Sequence, residues 1–189
     1  MKDGYPDPAS RQQRPAAFLD RDGVLNVDCK YASRPEQLML VQGAAEGVKL
    51  LNDAGYLVLV VSNQSGVARG YHEEADVLRF NAHLAMKLGS LGARIDGFYF
   101  CPHHPDGVRR GYSQRCDCRK PAPGLLHAAD RDWSIDRRRS FLVGDMPTDL
   151  EAATAFGVRS YIFGGDDLLG ALTEIIKLER SLPQRNQHA

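Results

Sequence analysis

The chain has 189 residues, 43% hydrophobic and 25% charged, with 24 basic residues balanced against 24 acidic ones. That size suits one domain with a sizeable core, and the composition excludes global disorder. A formal net charge of zero argues against a nucleic-acid surface or an anionic-membrane surface, so any affinity for an anion has to be built locally.

No apolar run approaches the ~20 residues that span a bilayer. The opening MKDGYPDPASRQQRP lacks the charged-then-apolar pattern of an export signal. The expected setting is a reducing cytoplasm, where a structural disulfide would not persist and cysteines serve as metal ligands or inert thiols. The expected working unit is a monomer, with neither nucleic acid nor membrane as a partner.

In chain order, residues 1–14 read as a flexible lead-in, polar and punctuated by proline. AAFL (16–19) is the first strand, followed at once by DRDGVLN. Asp20 and Asp22, at i and i+2 of an extended tip, both leave toward one side, and Gly23 lets the chain turn sharply. One carboxylate can attack an electrophile while the other handles a proton. An Asp-Gly turn with solvated carboxylates is the structural alternative.

The spacing predicts a helix over 43–54, with Val48, Leu51 and Ala54 on one face and Gly55 as its stop. LVLVV (57–61) shows no polar alternation, as expected of a strand buried on both faces. Ser62, Asn63 and Gln64 come next, where small hydroxyl and amide groups can donate to phosphate oxygens or serve as a turn or cap. A second helix is expected over 72–90 and a strand at IDGFYF (95–100).

CPHHPDGVRRGYSQRCDCRK, residues 101–120, then holds three of the four cysteines. Cys101-x-His103, twelve residues, and Cys116-x-Cys118 can supply a closed site of three thiolates and one imidazole, as structural zinc prefers. His104 competes with His103, and unrelated surface thiols are the plain alternative. Cys29 lies outside the cluster and reads as a reduced thiol near the entrance.

A helix over 123–131 leads to the strand SFLVG (140–144), which is followed by Asp145-Met146-Pro147-Thr148-Asp149. A carboxylate just past Gly144 can coordinate a hard cation such as Mg²⁺, with Asp149 supporting one turn on. Alternatively, Asp145 and Thr148 merely cap the 147–156 helix that Pro147 opens. VRSYIF (158–163) is the last strand, and residues 179–189 read as a flexible tail. Strand–helix alternation predicts an α/β, Rossmann-like three-layer fold with a mainly parallel sheet, a single domain over 15–178 and little or no cap. In such sheets ligands sit beyond the carboxyl ends of the strands, where strand order reverses. The polar residues noted above all follow strands.

DRDGVLN, VVSNQSG, CRKPAPG and FLVGDMPTD, in this order, resemble the four motifs of the haloacid dehalogenase superfamily of phosphatases. The resemblance implies that Asp20 is a nucleophile forming an aspartyl-phosphate and that Asp22 protonates the leaving alcohol and then activates water. It implies that Ser62 and Lys120 hold phosphoryl oxygens, and that Asp20, the Asp22 carbonyl and Asp145 bind Mg²⁺ with Asp149 supporting. Met146 departs from the polar residue often found there and receives no role. Within the superfamily, C-P-H-H-P and C-D-C-R-K-P resemble the histidinol-phosphate and heptose-bisphosphate phosphatase group, which implies Zn²⁺ at Cys101, His103, Cys116 and Cys118.

NVDCKY and SNQSGVARGY resemble the heptose bisphosphate members more closely. Removal of the C7 phosphate from a heptose 1,7-bisphosphate is therefore the expected reaction, with histidinol phosphate as the alternative substrate. Arg119 is expected to take the distal phosphate through its planar fork. Selection would fall to loops 26–36 and 65–72 and the zinc loop, with Arg69 and Tyr71 as candidate contacts. A zinc-stabilised binding module without catalysis is the alternative of a different class.

Overall fold

The computed structural model describes residues 13–182. Five strands, β1 (Ala16–Leu19), β2 (Leu57–Asn63), β3 (Gly97–Cys101), β4 (Phe141–Gly144) and β5 (Arg159–Ile162), form one sheet in the order β3-β2-β1-β4-β5. Every pairing is parallel, so the sheet is wholly parallel where a mainly parallel one was expected. Leu19 aligns with Val60 on one side and Val143 on the other, which sets the tips of β1, β2 and β4 level.

Side chains alternate along the central strands, as the two-residue period of a strand requires. Ala17, Leu19, Val58 and Val60 pack on one face under α1 (Ala44–Asp53), the end of α2 (Glu74–Ser90) and α5 (Leu168–Ser181). Ala16, Phe18, Leu57, Leu59 and Val61 pack on the other under α3 (Gly124–Trp133) and α4 (Pro147–Phe156). Burying each such large apolar side chain contributes about 1.5–3 kcal/mol. The chain runs outward from β1 through β2 to β3, then returns to the far side of β1 as β4. Strand order therefore reverses between β1 and β4, and the crevice there is where an open parallel sheet takes its ligand.

Two ends of the chain differ from expectation. Arg14, placed in the lead-in, already bridges Ile135; residues 1–12 lie outside the described residues. Residues 179–181, placed in the tail, belong to α5, and Glu179 is buried, accepting from Arg159 Nε at 2.5 Å and Tyr161 OH at 2.6 Å. A charged residue in this position stays ordered because its buried carboxylate is paired. Among the described residues, no helix is long and apolar enough to cross a membrane.

Candidate active site

A cavity of about 710 Å³ opens at the reversal point, between the tips of β1, β2 and β4. Asp20, Asp22, Ser62, Asn63, Arg119, Lys120, Asp145 and Asp149 all line it, so the predicted groups converge although they span 130 residues of chain.

Asp20 directly follows β1, and its backbone N–H donates to the Val143 carbonyl at 2.9 Å, which locks the tip of β1 to β4. Its Oδ1 accepts from the Arg21 N–H at 2.8 Å and pairs with Lys120 Nζ at 2.9 Å. Lys120 is buried; it pairs with Asp149 at 2.5 Å and donates to the Val61 carbonyl at 2.8 Å. Burial pushes the Asp20 carboxyl up to about 6 against the opposing pull of Lys120, with the Asp149 charge adding to the rise. Burial likewise raises the Lys120 environment's cost for a charge, but Asp20 and Asp149 outweigh it and hold the ammonium pKa above its ordinary value.

Two glycines permit the close approaches. A Cβ on Gly144 would lie 2.3 Å from the Asp149 side chain, and one on Gly23, whose φ is +83°, would lie 2.1 Å from Asp145 Oδ2. Both carboxylates thus fold back onto bare backbone.

Oxygens of Asp20, Asp145 and Asp149 lie within 4.8 Å of one another. Burial, then the Asp149 charge, raises the Asp145 carboxyl above the usual range. Three clustered carboxylates offset by one lysine make an all-oxygen, electron-rich set, which a hard divalent cation such as Mg²⁺ fits. Asp149 also receives the Met146 backbone N–H at 3.1 Å, so the helix-capping role weighed for Asp145 and Thr148 falls to Asp149.

The Asp22 carboxylate stands outside that trio. Its Oδ1 accepts from Asn26 Nδ2 at 2.9 Å, its Oδ2 accepts from Gln64 Nε2 at 2.8 Å, and Arg21 Nη2 donates to Oδ2 at 2.9 Å. Arg21 itself is fully buried. Its Nη1 donates to Asn81 Oδ1, the same Nη2 also faces Gln64 Oε1 and the Ala32 carbonyl, and the guanidinium stacks 4.5 Å over the Phe80 ring. Gln64 also donates to Ser62 Oγ at 2.7 Å, leaving the Ser62 hydroxyl proton free for an anion. Sequence reasoning gave Arg21 and Asn26 no role, and it offered Gln64 to phosphate oxygens, whereas Gln64 donates to Asp22 and Ser62. The only signal was a charged residue inside an otherwise buried strand tip.

Asn63, expected to touch substrate, uses its amide otherwise. Nδ2 donates to the Lys120 carbonyl and Oδ1 accepts the Lys120 N–H, both at 3.0 Å. The residue positions Lys120, although it borders the cavity.

Beyond β3, Cys101, His103, Cys116 and Cys118 bring one ligand atom each into a single cluster. Sulfur–sulfur separations are 3.5, 3.2 and 2.9 Å, too long for a disulfide bond of about 2.05 Å. His103 Nδ1 faces Cys118 Sγ at 3.4 Å, whereas His104 turns away toward Arg69, which decides between the two histidines. Hydrogen bonding from Cys101 draws the Cys118 thiol down to about 5, and the same contact with burial raises Cys101. Thiolate character and a three-sulfur, one-nitrogen set fit Zn²⁺. Arg119 and Lys120 follow Cys118 directly, and Arg119 Nη1 donates to the His103 carbonyl at 3.3 Å, so the cluster and the cavity wall are one unit. Cys29 is exposed and free, and Met146 is exposed at the cavity edge.

A family model described as "HAD-hyrolase-like" matches residues 117–165. The chain is 44% identical over 160 residues to the D-glycero-beta-D-manno-heptose-1,7-bisphosphate 7-phosphatase of Rhodopseudomonas palustris, covering 85% of this chain and 89% of that protein. It is similar in structure to a HAD-like phosphatase from Mesorhizobium loti, with a TM-score of 0.80 at 30% identity over 94% of this chain and 91% of the other. It also resembles the D,D-heptose 1,7-bisphosphate phosphatase of B. bronchiseptica solved with magnesium and phosphate, with a TM-score of 0.75 at 27% identity over 87% and 99%. At 44% identity over most of both chains, the chain belongs to the D-glycero-D-manno-heptose 1,7-bisphosphate 7-phosphatase family of HAD-like hydrolases.

Proposed function

We propose that the protein removes the C7 phosphate from D-glycero-D-manno-heptose 1,7-bisphosphate through a covalent phosphoryl-Asp20 intermediate. The observation that carries this reading is the meeting of Asp20, Lys120 and Asp145 at the strand-order reversal, in a cavity with polar walls. Relatives at 40–44% identity named for this reaction support the substrate.

In the proposed cycle an Asp20 oxygen attacks phosphorus and the bond from phosphorus to the sugar oxygen breaks. Asp22 gives that leaving oxygen its proton. Asp22, now a carboxylate, takes a proton from water as the water oxygen attacks phosphorus, and Asp20 leaves as inorganic phosphate forms. Lys120 and the Ser62 hydroxyl hold phosphoryl oxygens throughout. Mg²⁺, held by Asp20, Asp145 and the Asp22 carbonyl with Asp149 supporting, would neutralise charge on the transferring group. Zn²⁺ at the four-ligand cluster would be structural, fixing the direction from which Arg119 and Lys120 enter.

Arg119 takes the distal phosphate in this reading, so a bisphosphate is preferred over histidinol phosphate. One chain supplies every group named, which supports a monomer as the working form; a cytoplasmic setting is proposed from the reduced cysteines that a metal-binding cluster needs. Phosphate release from a panel holding the α and β heptose bisphosphates and histidinol phosphate, with Mg²⁺ present, tests the choice. Preference for a heptose bisphosphate is expected; faster turnover of histidinol phosphate would overturn the substrate, and no turnover at all would favour the binding-module reading.

A further inference from the structure

Gln64 is 3% exposed, and the groups around its amide allow that amide one orientation. A guanidinium only donates and an ionised carboxylate only accepts. Oε1 therefore faces Arg21 Nη2, at 2.9 Å, and Nε2 faces Asp22 Oδ2, at 2.8 Å. The second Nε2 proton goes to Ser62 Oγ at 2.7 Å. One buried amide is thereby committed at every donor and at its acceptor to the proton handler, its arginine counterion and a phosphate-holding hydroxyl.

The main chain at this position is fixed as firmly. The Gln64 N–H donates to the Cys101 carbonyl at 2.8 Å, extending the β2–β3 ladder past the Asn63–Cys101 pair. The Gln64 carbonyl accepts from the Val67 N–H at 3.3 Å, which closes the turn after β2. Asp22, by contrast, rides on the turn after β1, with its side chain 22% exposed toward the cavity it lines. Arg21 and Asn26 hold its carboxylate from within that same turn. Gln64, 42 positions away, ties the carboxylate directly to the residue that follows β2.

We propose that Gln64 is a positioning residue for proton transfer, an inference that rests on the phosphatase reading above. Its amide, anchored to β2 and β3, holds the Asp22 carboxylate where it serves the sugar oxygen that leaves phosphorus. Gln64 acts through Asp22 and touches neither phosphorus nor the leaving oxygen in this role. Without the amide, Asp22 keeps Arg21 and Asn26 but turns with its own loop, and Arg21 loses one acceptor. Misplacing a catalytic group by about 1 Å costs on the order of 100-fold in rate. A glutamate of the same shape would set a second carboxylate against Asp22 and an acceptor where Ser62 now meets a donor. The two donors, and not the shape alone, therefore carry the role.

The test compares kcat/KM for the heptose 1,7-bisphosphate with that for its analogue carrying sulfur in place of the bridging oxygen at C7, because a thiolate leaves without needing a proton. Gln64→Met and Gln64→Glu proteins of matched zinc content are set beside wild type and Asp22→Asn. Each Gln64 variant is expected to lose about tenfold more on the oxygen ester than on the sulfur analogue, in the same direction as Asp22→Asn and to a smaller extent. Equal losses on the two substrates, or a Gln64→Glu protein with wild-type rates, would overturn the positioning role. Urea unfolding of Gln64→Met, Asp22→Asn and the double variant reads the contact without turnover, and the two midpoint shifts should not add. Coupled shifts alongside an inactive wild type would keep the tie between Gln64 and Asp22 and remove the phosphatase reading; equal losses alongside an active wild type would do the reverse.

Discussion

Asn63 and Lys120 grip each other by two reciprocal hydrogen bonds of 3.0 Å between the Asn63 amide and the Lys120 main chain. The two residues are 57 positions apart, and the bonds join the tip of β2 to the segment leaving the cysteine cluster. The amide sets where the Lys120 ammonium stands between Asp20 and Asp149. Asn63→Ala is expected to lower stability by about 1–3 kcal/mol and kcat about tenfold or more, with KM changing less. Steady-state kinetics and urea unfolding check both figures. A variant that lost affinity for substrate at constant kcat would instead mark Asn63 as a substrate ligand.

Arg21 is the second support. Its buried charge is matched by Asp22 and by neutral acceptors drawn from residues 32, 64 and 81. Arg21→Met leaves Asp22 short of its main counterion and is expected to cost about 3–5 kcal/mol of stability. Urea midpoints at unchanged slope measure it, and a loss below about 1 kcal/mol would show that the network is dispensable.

Acid should act on metal binding through Asp20. Burial places its carboxyl at about 6 in the metal-free protein, so the group is protonated below that pH and ionised above it. A proton and Mg²⁺ then compete for the same oxygens. The half-saturating Mg²⁺ concentration is expected to rise as pH falls from about 7 to about 5, and saturating Mg²⁺ should move the acid limb of activity to lower pH. Rates measured over a grid of pH and Mg²⁺ test this; one Mg²⁺ requirement at all pH values would contradict it.

In the proposed reading, loss of zinc from the cysteine cluster is felt in the cavity. Cys116→Ser removes a ligand two residues from Cys118, and Arg119 and Lys120 follow that ligand. The variant is expected to lose zinc, melt at lower temperature and retain about 1–10% of wild-type activity, since displacement of a phosphate-holding group by about 1 Å is costly. Metal analysis, melting and phosphate release on one preparation suffice. A zinc-free variant with full activity and full stability would sever the link between cluster and catalysis.

Much of this site is legible in the sequence. Carboxylates directly after apolar runs announce a strand-tip site, because an unpaired acid has no place further inside a parallel sheet. The cysteine spacing announced a four-ligand cluster, and only the choice between His103 and His104 needed geometry. The network roles of Arg21 and Gln64 were not legible, since their partners come from distant positions, and an arginine between two aspartates reads as exposed. The bonds of Asn63 to the Lys120 main chain were not legible for a related reason: an amide at a strand tip serves a ligand or a neighbouring backbone equally well, and sequence does not show the backbone. α5 was missed although its signal was present, with Leu168, Leu172, Ile175 and Ile176 on one buried stripe.

Transfer of the phosphoryl group to Asp20 is the central claim. Its most direct test is an acid quench of enzyme mixed with Mg²⁺ and the bisphosphate labelled at the C7 phosphate. Wild-type protein is predicted to carry the label on Asp20 as a hydroxylamine-sensitive acyl phosphate, and Asp20→Asn to carry none and release no phosphate. Label on a different residue, or undiminished release by Asp20→Asn, would contradict the account.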